Sequence, residues 1–310
     1  MLTMRKYFSF LFFATLFCIE ASAQNINLDS VLDAKTQSKT KHDSTFAEAT
    51  FQSTRLINGQ TVETTQGGVL NLEISHRFGK LNEGFYNMFG LDVASMRLGF
   101  DYGITNRFEI GVGRSTFEKQ YDGFLKYRLL WQDDGKKIPV SVTLLTSMML
   151  QTDTVALKTE KKISVSPKTA DKLSYAYQVL IARKLSPKLS LQLVPTLIHE
   201  NLVDSSFNSN NFFAVGFGAT FKVTKSSAIN IEYYYEPPGN KLPGTYNSFS
   251  IGYEIQTAGH VFQLHISNST GMTEKAFIAE NDGRWSKGDI HFGFNISRVF
   301  TIKKQKQNSW

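Results

Sequence analysis

The chain has 310 residues, of which 41% are hydrophobic and 13% aromatic, with a formal net charge of +7. This length fits one large all-β domain or two average domains, so the organisation has to be inferred from sequence pattern. Lys and Arg are scattered along the chain, apart from a cluster at 303–306, and this distribution does not indicate a nucleic-acid-binding surface.

The N-terminus has the features of a secretory signal. Arg5 and Lys6 precede an apolar run that is too short to span a bilayer comfortably, and the small residues Ala21-Ser22-Ala23 follow it. We therefore predict that residues 1–23 are a cleaved signal peptide and that the chain is exported. The single cysteine, Cys18, lies within this segment, so the mature chain is expected to contain no thiol and no disulfide.

Residues 24–66 are polar and lack a sustained periodicity, which predicts a flexible periplasmic leader. The apolar residues Phe46, Phe51, Leu56 and Ile57 interrupt it. An alternative is therefore that the stretch before Gln66 enters the following domain as a partial plug.

From Val69 onward apolar and polar residues alternate, as in strands with one apolar and one polar face. Leu70, Leu72 and Ile74, for example, alternate with polar neighbours. We find no convincing amphipathic helix, and the predicted class is all-β. The predicted strands lie at 69–77, 94–102, 108–112, 121–129, 140–148, 173–181, 189–197, 213–223, 229–235, 248–256, 262–266 and 290–296.

The lengths of the connections distinguish a membrane barrel from a soluble β-sandwich. Short links, such as the one at Thr105-Asn106, take turns with long ones, such as 151–172 and 268–289. This regular exchange is typical of a transmembrane barrel with short periplasmic turns and longer extracellular loops. We predict a single antiparallel transmembrane β-barrel of about 12 strands over residues 67–300 in a Gram-negative outer membrane, with residues 301–310 as a basic C-terminal tail.

Several segments resemble an uncharacterised domain-of-unknown-function family of Gram-negative outer-membrane β-barrel proteins. They are Thr54-Arg55-Leu56-Ile57-Asn58-Gly59, Ile74-Ser75-His76-Arg77-Phe78-Gly79, Asp101-Tyr102-Gly103-Ile104-Thr105, Tyr121-Asp122-Gly123-Phe124-Leu125-Lys126 and Phe292-Gly293-Phe294-Asn295-Ile296-Ser297-Arg298. The resemblance implies a barrel fold and an envelope location, and it brings no substrate or catalytic residues.

The alternation also predicts which charged side chains line the lumen. They are Glu73, Arg77, Arg97, Asp101, Glu109, Asp122, Lys126, Arg128, Glu232, Glu254, His265, His291 and Arg298. A barrel of this size has a narrow lumen, so we expect a narrow, porin-like channel for small polar solutes. The alternative is a non-conducting structural or adhesion barrel that acts through its extracellular loops.

A third hypothesis is a lipid esterase, because His265-Ile266-Ser267-Asn268 resembles the His-x-Ser-Asn motif of outer-membrane phospholipases and lipid A deacylases. The alternation turns His265 and Ser267 away from the lipid, which favours a protein that is not an enzyme. His199 and Glu200 are adjacent and would point to opposite faces of a strand, so they do not indicate a metal site. We expect no cofactor and no nucleic-acid partner; the expected partners are outer-membrane lipid and the barrel-assembly machinery, and the oligomeric state stays open.

Overall fold

The computed structural model describes residues 49–133, 137–204 and 209–303. The predicted signal peptide, the leader up to residue 48 and the tail from residue 304 lie outside these ranges. The described residues contain twelve strands that form a closed antiparallel barrel, in which each strand pairs with its neighbours in sequence and β1 pairs with β12. The predicted fold is confirmed.

The strand bounds differ from the predicted ones mainly at the ends; β3, for example, extends to Ser115. The strands are β1 Val69–Lys80, β2 Ala94–Gly103, β3 Phe108–Ser115, β4 Gln120–Leu130, β5 Ser141–Gln151, β6 Leu173–Lys184, β7 Leu189–Glu200, β8 Asn211–Lys222, β9 Ser227–Tyr235, β10 Ser248–Gln256, β11 His260–Ser267 and β12 His291–Thr301.

Side chains alternate between the two faces of the wall. In β1 the polar side chains of Asn71, Glu73 and Ser75 are buried inside the barrel, whereas Leu72 and Ile74 between them are partly exposed on the outside. An apolar outer band and a polar interior are the arrangement expected of a barrel whose solvent is lipid.

The interior is less polar along strands β4 to β8. Leu145, Leu180, Val194 and Ile198 occupy inward positions there and are fully buried. An apolar inner wall would face water if the lumen were empty, so these residues indicate that protein fills this side of the barrel.

The connections follow the predicted exchange of short and long except on either side of β4, where the β3–β4 connection has only four residues, 116–119, and the β4–β5 connection has ten, 131–140. Short turns close tightly, as between β2 and β3, where the backbone N–H groups of Ile104 and Thr105 donate to the Phe108 carbonyl. One long loop contains a helix that the sequence did not predict, α1, Thr154–Glu160, whose N-terminus is capped by the Asp153 carboxylate. Within the described ranges, no helix has the length and apolar character needed to cross a membrane.

Candidate functional site

Residues 49–66 form a hairpin inside the barrel lumen, which we call the plug. The backbone N–H of Leu56 donates to the Gly59 carbonyl at 2.9 Å, and the N–H of Thr61 donates to the Thr54 carbonyl at 2.8 Å. The plug enters at the end with the short turns, because the Thr64 hydroxyl donates to the carbonyl of Asn106 in the β2–β3 turn. These residues belong to the stretch before Gln66 for which the sequence left a leader and a partial plug as alternatives.

A single buried carboxylate holds the tip of the plug. The oxygens of Glu232 in β9 accept from the backbone N–H groups of Ile57, Asn58 and Gly59 at 3.3, 2.9 and 3.0 Å. Successive N–H groups converging on one anion form the backbone nest that proteins use to bind anions. Gly59 is required here, because a Cβ atom at this position would overlap the Tyr234 hydroxyl group.

Charged pairs fasten the two arms of the plug to two different strands of the wall, β1 and β4. Arg55 donates to Glu73 of β1 at 2.9 Å, and Arg128 of β4 donates to Glu63 at 2.9 Å. The Lys126 ammonium donates to the Gln60 side chain at 3.0 Å. Ion pairs that are mostly removed from water have strong geometric requirements, so they define how the plug sits in the lumen.

Amide side chains of the wall supply hydrogen bonds to the backbone of the plug. Gln263 donates to the carbonyls of Arg55 and Leu56, and Asn295 donates to the carbonyl of Ile57 at 2.8 Å. Gln192 uses both ends of its amide, accepting from Val62 and donating to the carbonyl of Gln60. The backbone groups that the hairpin cannot pair internally are thereby satisfied.

The other side of the plug is apolar and packs on the apolar inner wall. Phe51, Leu56 and Val62 belong to one buried cluster with wall residues of β4 to β7. The wall members of this cluster are Phe124, Leu145, Leu180, Ala182 and Val194. The plug therefore matches a lumen that is charged on one side and apolar on the other.

The connection between β11 and β12 enters the lumen from the opposite end. We call residues 268–290 the inward loop. Phe277 is fully buried and meets the Tyr234 ring edge-on, with 5.1 Å between ring centroids. Phe277, Ile278 and Ala279 share a buried cluster with inward residues of β5 to β9. The plug and the inward loop thus occupy different halves of the same lumen.

A chain of ion pairs surrounds the inward loop. The Lys161 ammonium lies 2.7 Å from Glu200 and 2.6 Å from Glu280, and the Lys275 ammonium lies 2.7 Å from Glu280. Lys275 also lies 3.6 Å from Glu118. These ion pairs join the inward loop to the loop that contains α1, to the β3–β4 connection and to the end of β7.

The pKa values of the loop groups follow from these contacts. Burial would lower the pKa of Lys275, but Glu280, Glu118 and Glu200 outweigh it and raise that pKa. Burial raises the pKa of Glu118 to about 8, with Glu280 and Glu160 acting in the same direction and Lys275 against it. The Glu118 carboxyl therefore holds its proton at a higher pH than an ordinary glutamate does.

Three carboxylates near the inward loop are close enough to share a metal ion. Oxygens of Glu118, Glu160 and Glu280 lie within 4.8 Å of one another. Lys275 lies beside Glu118 and Glu280, and Lys161 lies beside Glu280, so we interpret the group as part of the ion-pair chain. Of the two residues considered earlier as metal ligands, Glu200 pairs with Lys161, while the His199 ring bonds to Asn211 at 2.8 Å.

The structure places almost all of the predicted lumen residues inside the barrel. Arg97 and Asp122 form an ion pair with two hydrogen bonds, and the Lys126 ammonium lies 4.0 Å from the Glu109 carboxylate. The following residues are buried on the inner face or have side chains directed to it: Glu73, Arg77, Arg97, Asp101, Glu109, Asp122, Lys126, Arg128, Glu232, Glu254, His265 and His291.

The assignment of Arg298 to the lumen is wrong. Arg298 is exposed on the outside, next to Leu72 of β1, with its guanidinium 5.0 Å from the Phe300 ring centroid. His291 and Arg298 are seven positions apart in one strand, which is an odd offset. They must therefore point to opposite faces, and only His291 points inward.

The geometry of an esterase is missing from the His265 region. The side chains of His265 and Ser267 are both buried in the lumen. The Ser267 hydroxyl forms a hydrogen bond with the Ser250 hydroxyl at 2.9 Å and not with His265. Neither ring nitrogen of His265 has a hydrogen-bond partner among the described residues. A serine nucleophile needs its base within hydrogen-bond reach, and no such bond joins Ser267 to His265 among the described residues.

Comparison with known proteins gives a family for this architecture. Residues 51–300 match the profile of a family described as Membrane bound beta barrel domain (DUF5777). The chain belongs to this family. The matched range begins inside the plug, so the plug is part of the family domain together with the strands, and the protein is a membrane-bound β-barrel. No curated protein matches the sequence.

Solved barrel structures are similar at low levels of identity. The NanC porin has a TM-score of 0.46 and 11% identity over 76% of this chain and 100% of its own. The KdgM porin in complex with disordered oligogalacturonate has a TM-score of 0.47 and 8% identity, over 74% of this chain and 99% of its own. The COG4313 outer membrane channel from Pseudomonas putida F1 has a TM-score of 0.41 and 14% identity, over 77% of this chain and 98% of its own. At these scores the likeness carries no argument about solute or mechanism.

Sequence reasoning missed the residues that form the inward loop, and it left the plug as an alternative. One signal was present, since the inward positions of β5 to β8 are apolar at Leu145, Met149, Leu180 and Val194. In a water-filled lumen these positions would be polar, so their character indicates a covering segment.

Proposed function

We propose that the chain is an outer-membrane barrel that acts as a narrow, gated channel for small polar solutes, closed in the conformation described here. The observation that carries the proposal is the plug itself, a hairpin held in a partly charged lumen by hydrogen bonds, ion pairs and apolar packing on one side. Contacts of this kind can be exchanged for contacts with water and solute, so the hairpin is removable.

The proposal includes a route to the membrane. Export would use the signal peptide predicted at 1–23, and insertion would use the barrel-assembly machinery, whose recognition segment the strand His291–Phe300 resembles. The surrounding outer-membrane lipid would contact the apolar outer band. The number of barrels that assemble together is left open.

Two segments fill the lumen, so the decisive experiment removes both. The side-chain amide of Asn268 donates to the Gly283 carbonyl at 2.7 Å, so the ends of the insert are adjacent and a short glycine-serine link can replace residues 270–281. This change is combined with deletion of residues 49–66. Planar-bilayer recordings then compare the full chain, each single deletion and the double deletion, after heat-modifiable gel migration has shown that each barrel is folded.

The full chain and the single deletions should be mostly silent, because one segment still fills its half of the lumen. The double deletion should show regular unitary steps. A folded double-deletion barrel that stays silent would reject the channel and favour the non-conducting structural or adhesion barrel.

A further inference from the structure

A depression of about 700 Å³ lies on the outer wall of the barrel across strands β3 to β8. Its lining includes the aromatic side chains of Phe108, Tyr127, Tyr177 and Phe213 and the smaller side chains of Thr146 and Pro195. These side chains point to the outside of the barrel. Thr146 of β5 pairs with Tyr177 of β6, and both residues are at least partly exposed.

The depression lies at the depth of the hydrocarbon layer. Thr146 is near the middle of β5, Tyr177 near the middle of β6 and Pro195 near the middle of β7. The middle of a membrane-spanning strand faces acyl chains and not water or head groups. Molecules can therefore reach the depression only from within the membrane.

The hydrogen-bond ladder between β6 and β7 is interrupted inside this depression. Gln178 of β6 pairs with Thr196 of β7, and Ile181 of β6 pairs with Leu193 of β7 in the same register. Between these two pairs, Pro195 and Val194 of β7 have no partner in β6. Proline has no backbone N–H to donate. Pro195 still pairs with Val215 of β8. The backbone N–H group that a different residue would have at this position would therefore point towards β6.

Protein covers the inner side of this interruption. Leu180 and Val194 are fully buried and pack in the same cluster as Phe51, Leu56 and Val62 of the plug. Irregular backbone is tolerated at membrane depth where it is covered, and here the plug provides the cover only from inside. The outer side of the interruption is open to the depression.

We infer that this depression is a binding site for an acyl chain of a membrane lipid. A concave wall offers one chain many more carbon contacts than a convex wall does, and a chain seated there covers the interrupted ladder from outside. The site goes beyond the proposed channel and does not depend on conductance, because it lies on the opposite face of the wall from the lumen.

The test uses the full-length protein in proteoliposomes that contain phosphatidylethanolamine with a photoactivatable diazirine in one acyl chain. After illumination, the adducts are mapped by mass spectrometry. They should concentrate on the peptides of β4 to β8. Thr146→Trp, which fills the depression, should lower this labelling about tenfold, as expected when about ten carbon contacts are lost.

Ile74→Trp is the matched control, because Ile74 lies on the outer face near the middle of β1, away from the depression. It should leave the labelling unchanged. Pro195→Ala tests the interruption independently, since the alanine N–H should restore the two missing pairs and protect the amide of residue 195 from hydrogen exchange.

Adducts spread evenly around the barrel would reject the site, as would a pattern that Thr146→Trp does not change. Missing adducts at these peptides, together with a dimer in the native mass spectrum, would mean that a second copy covers the depression. Labelling by a free diazirine fatty acid but not by the phospholipid would mean that the occupant is a soluble amphiphile. Each of these results would overturn the assignment to a lipid acyl chain.

Discussion

Glu232 shows at the level of one residue how the lumen can hold a segment without a covalent bond. Its carboxylate accepts from three successive N–H groups at the tip of the plug, and it is fully buried. Hydrogen bonds to an ionised acceptor are about twice as strong as neutral ones. A carboxylate that lost these donors inside the barrel would have to find water, so the plug and Glu232 stabilise each other.

Gly59 is the residue at the tip where the fit is tightest. In Gly59→Ala the new Cβ meets the Tyr234 hydroxyl, so the tip must shift away from Glu232. We expect a loss of about 1–3 kcal/mol in the free energy of unfolding, the usual cost of overpacking. The measurement is urea unfolding of the folded barrel in detergent micelles, followed by tryptophan fluorescence.

Gly259→Ala is the matched control, because nothing lies within 4 Å of a Cβ at that position in the β10–β11 turn. It should change the unfolding free energy very little. Equal losses in the two variants would show that the tip has room for a side chain and that Gly59 has no special role.

The inward loop is an element whose stability rests on charge as well as on packing. Its short helical turn, Lys275–Ala279, is buried at every position. Lys275 donates to Gln151 at 2.8 Å and pairs with Glu280 at 2.7 Å. A buried ammonium in this position ties the loop to the wall of β5 through polar contacts, while Phe277 ties it through apolar ones.

Lys275→Met keeps the length of the side chain and removes its charge. Glu280 then keeps Lys161 as its counter-ion, but Glu118 loses the ammonium beside it. Removing one partner of a buried pair costs about 3–5 kcal/mol, so the loop should leave the lumen part of the time. Proteinase K added to proteoliposomes should then cleave within residues 270–281, which are mostly buried in the parent protein.

Lys287→Met is the control for this variant, because Lys287 belongs to the same loop and is exposed. It should stay as resistant as the parent. If Lys275→Met resisted cleavage to the same extent, the ion pairs would not be needed to hold the loop, and apolar packing around Phe277 would be sufficient.

For the molecule as a whole, the sequence predicts the barrel well because each strand carries its own signal. Alternation assigns Glu73, Arg97 and Glu232 to the lumen without any knowledge of their partners. Those partners could not be predicted, since the plug has no periodicity and is held by side chains far away in sequence, as in the pair of Glu232 with Asn58. The position of the inward loop could not be predicted from the sequence for the same reason.

Tyr234 connects the two segments that fill the lumen. Its hydroxyl lies against Gly59 of the plug, and its ring meets Phe277 of the inward loop. A shift of either segment therefore changes the environment of the same side chain. Residues that share a partner in this way usually show non-additive effects on stability.

A double-mutant cycle tests this connection. Gly59→Ala and Phe277→Ala each disturb one side of Tyr234, and their effects on the free energy of unfolding should differ from additivity by about 0.5–3 kcal/mol. Gly59→Ala combined with Met272→Ala is the control, because Met272 is buried in the inward loop outside the Tyr234 cluster. That pair should be additive. Additivity in both pairs would mean that the plug and the inward loop open independently, and opening one would then leave the other in place.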